Sequence, residues 1–110
     1  MNVVDSSGWL EYFAAGRNAD FFAKPVEATA ELLVPTLSLY EVFRKVLQQR
    51  GEGDALQAVA IMQQGRVVDL TLPMADSVML ASARAFDAVF WTQDADFERI
   101  PGVRYVAKRP

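Results

Sequence analysis

The sequence predicts an α/β fold with a central parallel sheet of four to five strands. Short apolar runs alternate with stretches of helical spacing, and this alternation is typical of parallel sheets. The chain has 110 residues, of which 52% are hydrophobic, and this is enough for one packed core. We therefore expect a single domain over residues 1–110.

The predicted strands are short and are bounded by turn residues or acids. They cover residues 2–5, 31–35, 66–72, 88–92 and 103–106. The predicted helices fill the intervals and cover the stretch before Gly16 and residues 19–30, 37–50, 54–64 and 75–86. In a parallel sheet built this way, the carboxyl ends of the strands lie at one edge, where ligands bind.

Local signals set the expected starts and breaks of the helices. Ser6 or Ser7 is expected to cap the first helix, Pro25 to interrupt the second and Asp54 to cap the fourth. The helix over residues 37–50 has the clearest amphipathic pattern. Its predicted apolar stripe consists of Leu39, Tyr40, Phe43, Val46 and Leu47.

The composition excludes several kinds of site. The chain has no cysteine and no histidine, which excludes disulfides, thiolate catalysis and histidine-based acid–base or metal chemistry. A site built from carboxylates and hydroxyls suits hard cations such as Mg²⁺ or Mn²⁺. The net charge of −3, from 11 basic and 14 acidic residues, neither demands nor excludes a nucleic-acid substrate.

The sequence also predicts the cellular compartment of the protein. No stretch is long and apolar enough to span a membrane, and the first residues lack the pattern of a signal peptide. We therefore expect a cytoplasmic protein.

Four acids follow predicted strands or open the helices after them. They are Asp5, Glu41, Asp76 and Asp94. Carboxylates gathered at one edge of a sheet resist ionising together unless a cation neutralises them. A divalent cation does so and also activates water, and a pair of such ions assists phosphodiester cleavage. The pattern thus predicts a metal-dependent hydrolytic site, with Asp5, Asp76 and Asp94 as the metal ligands.

Each acid has an ordinary structural interpretation when it is taken alone. Glu41 fits a capping box that begins at Ser38. The other acids fit helix starts or turns, namely Asp5, Asp76, Asp94 and Asp96. The joint arrangement of the acids, and not any single one, favours the site.

Polar neighbours fit a supporting role. Ser7 and Thr92 are placed to hold the carboxylates by hydrogen bonds, although helix capping or strand-end satisfaction explains them equally well. Arg44 and Lys45 follow Glu41 by about one helical turn, where they would meet phosphates or simply form a solvated helix face.

Four segments together resemble the motifs of PIN domains, and most closely those of VapC-type toxins from bacterial toxin–antitoxin pairs. They are VVDSSGWL at residues 3–10, PTLSLYEV at 35–42, MADSVMLA at 74–81 and TQDADF at 92–97. The segments occur in the family's order and span the chain from end to end. The resemblance implies a three-layer α/β/α fold.

The resemblance also implies a function. It implies a Mg²⁺- or Mn²⁺-dependent ribonuclease with Asp5, Glu41, Asp76 and Asp94 as its acidic quartet. Ser7 and Thr92 match supporting positions, and Asp96 stands close enough in sequence to supplement Asp94. The implied partners are an RNA substrate, a cognate antitoxin and a second copy of the chain in a homodimer.

One departure from the family pattern motivates an alternative function. Family members usually carry a further helix between the third strand and the helix that Asp76 opens, whereas only Thr71, Leu72 and Pro73 stand there. An internal deletion at this point would suit a catalytically impaired PIN-like interaction module. A phosphotransfer receiver domain also gathers acids at strand ends, but it needs a lysine soon after a late strand, and none follows Thr92 before Lys108.

Overall fold

A computed structural model of the chain describes residues 1–69 and 83–109. Within these ranges the strands are β1 (Asn2–Val4), β2 (Leu32–Pro35), β3 (Arg66–Val68), β4 (Val89–Thr92) and β5 (Val103–Tyr105). The helices are α1 (Ser6–Phe13), α2 (Ala19–Glu27), α3 (Thr36–Arg50) and α4 (Glu52–Met62), with short 3₁₀ turns at Thr29–Glu31 and Ala95–Phe97. No helix in the described ranges is both long and apolar enough to cross a bilayer.

The five strands form one parallel sheet in the order β3-β2-β1-β4-β5. The second and third strands of the chain, β2 and β3, lie on one side of β1, and the later strands, β4 and β5, lie on the other side. β1 is therefore the strand at which the direction of winding reverses, and α/β sheets bind their ligands beyond the carboxyl end of such a strand. In receiver-type sheets the second strand lies at the edge, whereas here β3 is the edge strand, so the receiver interpretation is wrong.

Hydrophobic residues fill both faces of the sheet, as a three-layer fold requires. Val4 and Val34 face helices α1 to α4 and join the larger core with Trp9. Val3 and Phe90 face the opposite side, where they pack with Ala83 and other residues of a second core. Adjacent residues of one strand thus enter different cores, which explains why these strands read as continuous apolar runs.

The start of α1 and the course of α2 differ from the prediction. Asp5, and not Ser6 or Ser7, occupies the N-cap position of α1, although its side chain makes no capping hydrogen bond. Pro25 lies inside α2 and is buried there, so it does not interrupt the helix. Pro25 has no N–H, so one helical hydrogen bond is missing at this position, and α2 ends two residues later at Glu27.

The buried face of α3 also differs from the predicted stripe. Ser38, Val42 and Val46 are buried, whereas Tyr40 and Leu47 are 58% and 41% exposed. The packing of α3 against the sheet, α1 and α4 selects the face through Val42, one step around the helix from the face that hydropathy favours. Because α3 begins at Thr36, Ser38 lies within its first turn and does not start a capping box.

The remaining boundaries shift by a few residues. Gly51 caps α4 and Asp54 lies within its first turn, so Asp54 is not the cap. Gly51 also ends α3 with a φ of 91°, a conformation that glycine adopts without strain. β3 ends at Val68, so Asp69 is not part of the strand, contrary to the prediction. The rest of the predicted third strand (residues 70–72), the start of the helix predicted at 75–86 and the proposed deletion lie outside the described residues.

Candidate functional site

Asp5 stands at the carboxyl end of the strand where the sheet reverses direction. Its backbone N–H donates to the carbonyl of Trp91 at 2.9 Å, which ties it to β4. Its carboxylate accepts hydrogen bonds from the hydroxyl of Thr92 at 2.9 Å and from that of Ser7 at 3.2 Å. Asp5 is thus held by residues of two different elements, α1 and β4.

The surroundings of Asp5 favour its protonated form. Burial raises the pKa of the Asp5 carboxyl, while hydrogen bonds from Thr92, Ser7 and the backbone of Ser6 act in the opposite direction. The charge of Asp94 raises the pKa further. None of these described groups is a cation, so the ionised carboxylate lacks a positive neighbour among them.

Thr92 connects Asp5 to Asp94. The Thr92 hydroxyl donates to Asp5 and accepts from the backbone N–H of Asp94 at 3.0 Å, and the side chain is fully buried. The carboxylate of Asp94 in turn accepts from the backbone N–H of Asp96 at 2.9 Å, which caps the turn at Ala95–Phe97. The structure therefore brings Asp5, Thr92 and Asp94 together, as expected from parallel strands.

Glu41 reaches the same region from α3. The hydroxyl of Ser6 donates to its carboxylate over a long distance of 3.4 Å. Ser6 and Ser7 thus divide their roles, because adjacent residues at the start of α1 contact two different carboxylates. Sequence reasoning singled out Ser7 and missed Ser6, whose position directly after Asp5 was its only signal.

One cleft of about 740 Å³ contains these groups. Its described lining includes all the predicted acids within those ranges, namely Asp5, Glu41, Asp94 and Asp96. The same lining also contains residues that sequence reasoning did not select, namely Gln93, Phe97, Tyr105, Ala107 and Lys108. Arg44 and Lys45 are exposed on α3 and do not belong to that described lining.

The donors in this cleft suit a hard cation, but the described part of the site is incomplete. The Asp5 carboxylate is bonded to the hydroxyls of Ser7 and Thr92, and carboxylates of Glu41 and Asp94 line the same cleft. Oxygen groups of this kind are the ligands that Mg²⁺ and Mn²⁺ prefer. Among residues 1–69 and 83–109, no three carboxylates approach closely enough to hold a metal. Asp76 lies outside those ranges, and its predicted role as the third ligand stays a prediction.

Comparisons with known proteins support the fold. A toxin–antitoxin complex from Klebsiella pneumoniae has a similar structure, with a TM-score of 0.73 and 18% sequence identity over 94% of this chain and 96% of that chain. VapBC2 from Rickettsia felis, bound to a DNA fragment from their promoter, has a TM-score of 0.69 and 12% identity over 96% and 97% of the two chains. No protein-family model and no curated protein sequence matches. At these identities the likeness is one of fold.

Proposed function

We propose that this PIN-like α/β domain is a divalent-metal-dependent endoribonuclease and the toxin of a type II toxin–antitoxin pair. The observation that carries the proposal is the pairing of Asp5 and Asp94 through the buried hydroxyl of Thr92. Glu41 faces the same cleft, and the fold is shared with proteins described as toxin–antitoxin complexes.

The carboxylates of Asp5 and Asp94 would hold the cation, together with Asp76. A bound Mg²⁺ or Mn²⁺ supplies positive charge to the phosphate and makes water a stronger nucleophile. Thr92 and Ser7 orient the Asp5 carboxylate by donating to it, and Asp94 is fixed by the backbone N–H of Asp96. Glu41 is placed on the cleft wall to accept a proton or to orient water.

The proposed partners follow from the same assignment. RNA binds in the open cleft, and a cognate antitoxin covers the cleft when the toxin is inhibited. We further propose that residues 1–110 act as one domain, that two copies form a homodimer and that the protein works in the cytoplasm. Sedimentation of the purified protein at several concentrations tests the dimer.

A catalytically impaired interaction module is the alternative, and the short stretch of sequence between the third strand and Asp76 motivates it. Calorimetric titration with Mn²⁺ separates the two functions, because a nuclease binds the ion through Asp5 and Asp76, whereas an interaction module shows little binding.

Cleavage of mixed RNA by the purified protein tests the nuclease, with Mn²⁺ or with EDTA in excess. We expect cleavage with Mn²⁺, none with EDTA, and a loss of more than about 100-fold in Asp5→Asn, because even the outer partners of metal ligands contribute about 10–100-fold. Asp20→Asn, an exposed acid on α2, is the matched control and should cleave normally. Full activity of a well-folded Asp5→Asn protein would overturn the assignment.

A further inference from the structure

The buried side chain of Asn18 joins three segments that are distant in sequence. It is only 2% exposed, and its amide nitrogen donates to the side-chain oxygen of Gln93 at 2.9 Å and to the carbonyl of Ala107 at 3.0 Å. Both N–H bonds of the amide are therefore used, so this group is fixed in one orientation. Gln93 itself is buried and lies between Thr92 and Asp94 in the chain.

Asn18 is held in place by a second polar contact. Its backbone N–H donates to the carboxylate of Glu11 at 2.9 Å. Gly16 makes room for that carboxylate, since a Cβ atom at position 16 would lie 2.5 Å from the carboxylate carbon. The connection between α1 and α2 is therefore built around Asn18 and is not a loose turn.

Residues 106–109, which we call the rim segment, are held at their first two positions. The N–H of Val106 donates to the carbonyl of Thr92 at 3.1 Å, which extends the pairing of β5 with β4 by one residue. Asn18 then holds the next carbonyl, that of Ala107. The backbone that carries Lys108 is thus tied to the body of the protein immediately before that lysine.

Lys108 brings a positive charge to a cleft whose described lining otherwise consists of acids, polar groups and apolar groups. The described lining contains four acids and Lys108 as its cation. An RNA strand is a polyanion, so the acids that would hold a metal also repel the phosphates on either side of the reacting one. A lysine in the same lining offsets this repulsion, and Tyr105, which also lines the cleft, offers a ring to a base.

We propose that Lys108 contacts a phosphate of the RNA strand next to the one that is cut, and that Asn18 is the positioning residue that holds the rim segment for this contact. This inference rests on the proposed ribonuclease function. Arg109 follows Lys108 directly but is not part of the described cleft lining. Arg109 therefore serves as the control for Lys108, because both are cations of the rim segment.

The first arm of the experiment compares Lys108→Ala with Arg109→Ala, using a short mixed-sequence RNA oligonucleotide as the substrate. Loss of one exposed cation–phosphate contact should raise KM about fivefold and leave kcat unchanged. The slope of log affinity against log salt should become shallower by about 0.7, as for one lost phosphate contact on a single strand. Arg109→Ala should match the unsubstituted protein in both respects.

The second arm tests the positioning role with Asn18→Ala, alone and combined with Lys108→Ala, well below the melting temperature. Asn18→Ala should reproduce the rise in KM, and the double variant should add little to it, because both changes remove the same contact. Hydrogen exchange at the N–H of Val106 should become faster. A purely structural Asn18 would lower the melting temperature and leave KM and the salt slope unchanged.

The outcomes separate this inference from the proposed function. If the unsubstituted protein neither binds nor cleaves RNA, the function and the inference both fall. If it cleaves RNA and Lys108→Ala behaves like Arg109→Ala, the function stands and the inference is overturned. Lys108 is exposed, so the first arm decides the matter even where Asn18→Ala does not fold.

Discussion

At the scale of single residues, the Thr92 hydroxyl connects the two parts of the carboxylate site. It donates to the Asp5 carboxylate and accepts from the backbone of Asp94, so one oxygen fixes groups that are 89 residues apart in the chain. The side chain is fully buried, and water therefore does not replace either bond. This hydroxyl therefore adds a side-chain link to the backbone pairing of β1 with β4.

We predict that Thr92→Val weakens Mn²⁺ binding by about 10–100-fold, because the substitution keeps the shape of the side chain and removes both hydrogen bonds. The pKa of Asp5 should rise further, since the hydroxyl now lowers it. Isothermal titration with Mn²⁺ measures the affinity. Thr92→Ser keeps the hydroxyl and should bind Mn²⁺ with an affinity within a few-fold of that of the unsubstituted protein. Equal Mn²⁺ affinities for Thr92→Val, Thr92→Ser and the unsubstituted protein would show that Thr92 does not support the metal site.

At the scale of elements, the site depends on how closely α1 approaches the sheet and α2. Gly8 lies on the face of α1 that touches both, and a Cβ there would lie 2.5 Å from Phe22 and 2.9 Å from Val4. Both of these neighbours are fully buried, so neither has space to move. The same helix carries Ser6 and Ser7, and a shift of α1 would therefore also move the partners of Glu41 and Asp5.

We predict that Gly8→Ala lowers the free energy of unfolding by about 1–3 kcal/mol through overpacking. Gly53 in α4 is the matched control, because a Cβ there meets no atom within 4 Å. Gly53→Ala should instead stabilise the protein by about 0.4–1 kcal/mol through the lower entropy of the unfolded chain. Urea unfolding of both variants measures the changes, and equal stability of the two would contradict the packing described for α1.

At the scale of the whole molecule, the charge of Asp5 opposes folding in the absence of a cation. Burial raises the pKa of Asp5, so the folded protein binds this proton more tightly than the unfolded chain does. The stabilising contribution is therefore complete below the ordinary pKa of an aspartate and is lost as the pH rises through the raised value. Above that pH the folded protein must keep a carboxylate that its surroundings disfavour.

We predict that Asp5→Asn melts at a higher temperature than the unsubstituted protein at neutral pH in EDTA, because asparagine carries no charge. The difference should shrink as the pH falls from the raised pKa of Asp5 to the ordinary aspartate pKa, and it should stay constant below that. Calorimetric melts of both proteins over that pH range measure it. Saturating Mn²⁺ should reverse the order, since a ligand that binds only the folded state stabilises it. A difference independent of pH would contradict the burial of this charge.

The sequence indicated much of the fold for a clear physical reason. Apolar runs such as Val3-Val4 and Leu32-Leu33-Val34 are buried on both sides, and only a covered parallel sheet accommodates such runs. Strand ends in a parallel sheet meet at one edge, so the sequence predicts that Asp5, Glu41 and Asp94 lie near one another. All three line the same cleft in the structure. The resemblance at residues 3–10, 35–42, 74–81 and 92–97 agreed with that reading.

The sequence did not indicate the partners of these groups, because they come from elsewhere in the chain. Asn18 lies between two predicted helices, and its amide holds Gln93 and Ala107 across 75 and 89 residues. Hydropathy placed Tyr40 on the buried face of α3, whereas the contact with α4 turns that residue to the surface. Neither fact is visible in spacing, since each depends on which elements become neighbours.

By itself, the sequence determined the parallel α/β fold and limited the candidate site to groups other than histidine and cysteine. These follow from residue type and periodicity, which act locally along the chain. Only the tertiary structure decided that Thr92 bridges Asp5 and Asp94, that Ser6 donates to Glu41 and that Lys108 lines the same cleft as the acids. The contacts of Thr92 and Lys108 arise because the winding of the sheet reverses at β1, which brings β4 beside β1 and β5 beside β4, and residue spacing does not encode this order.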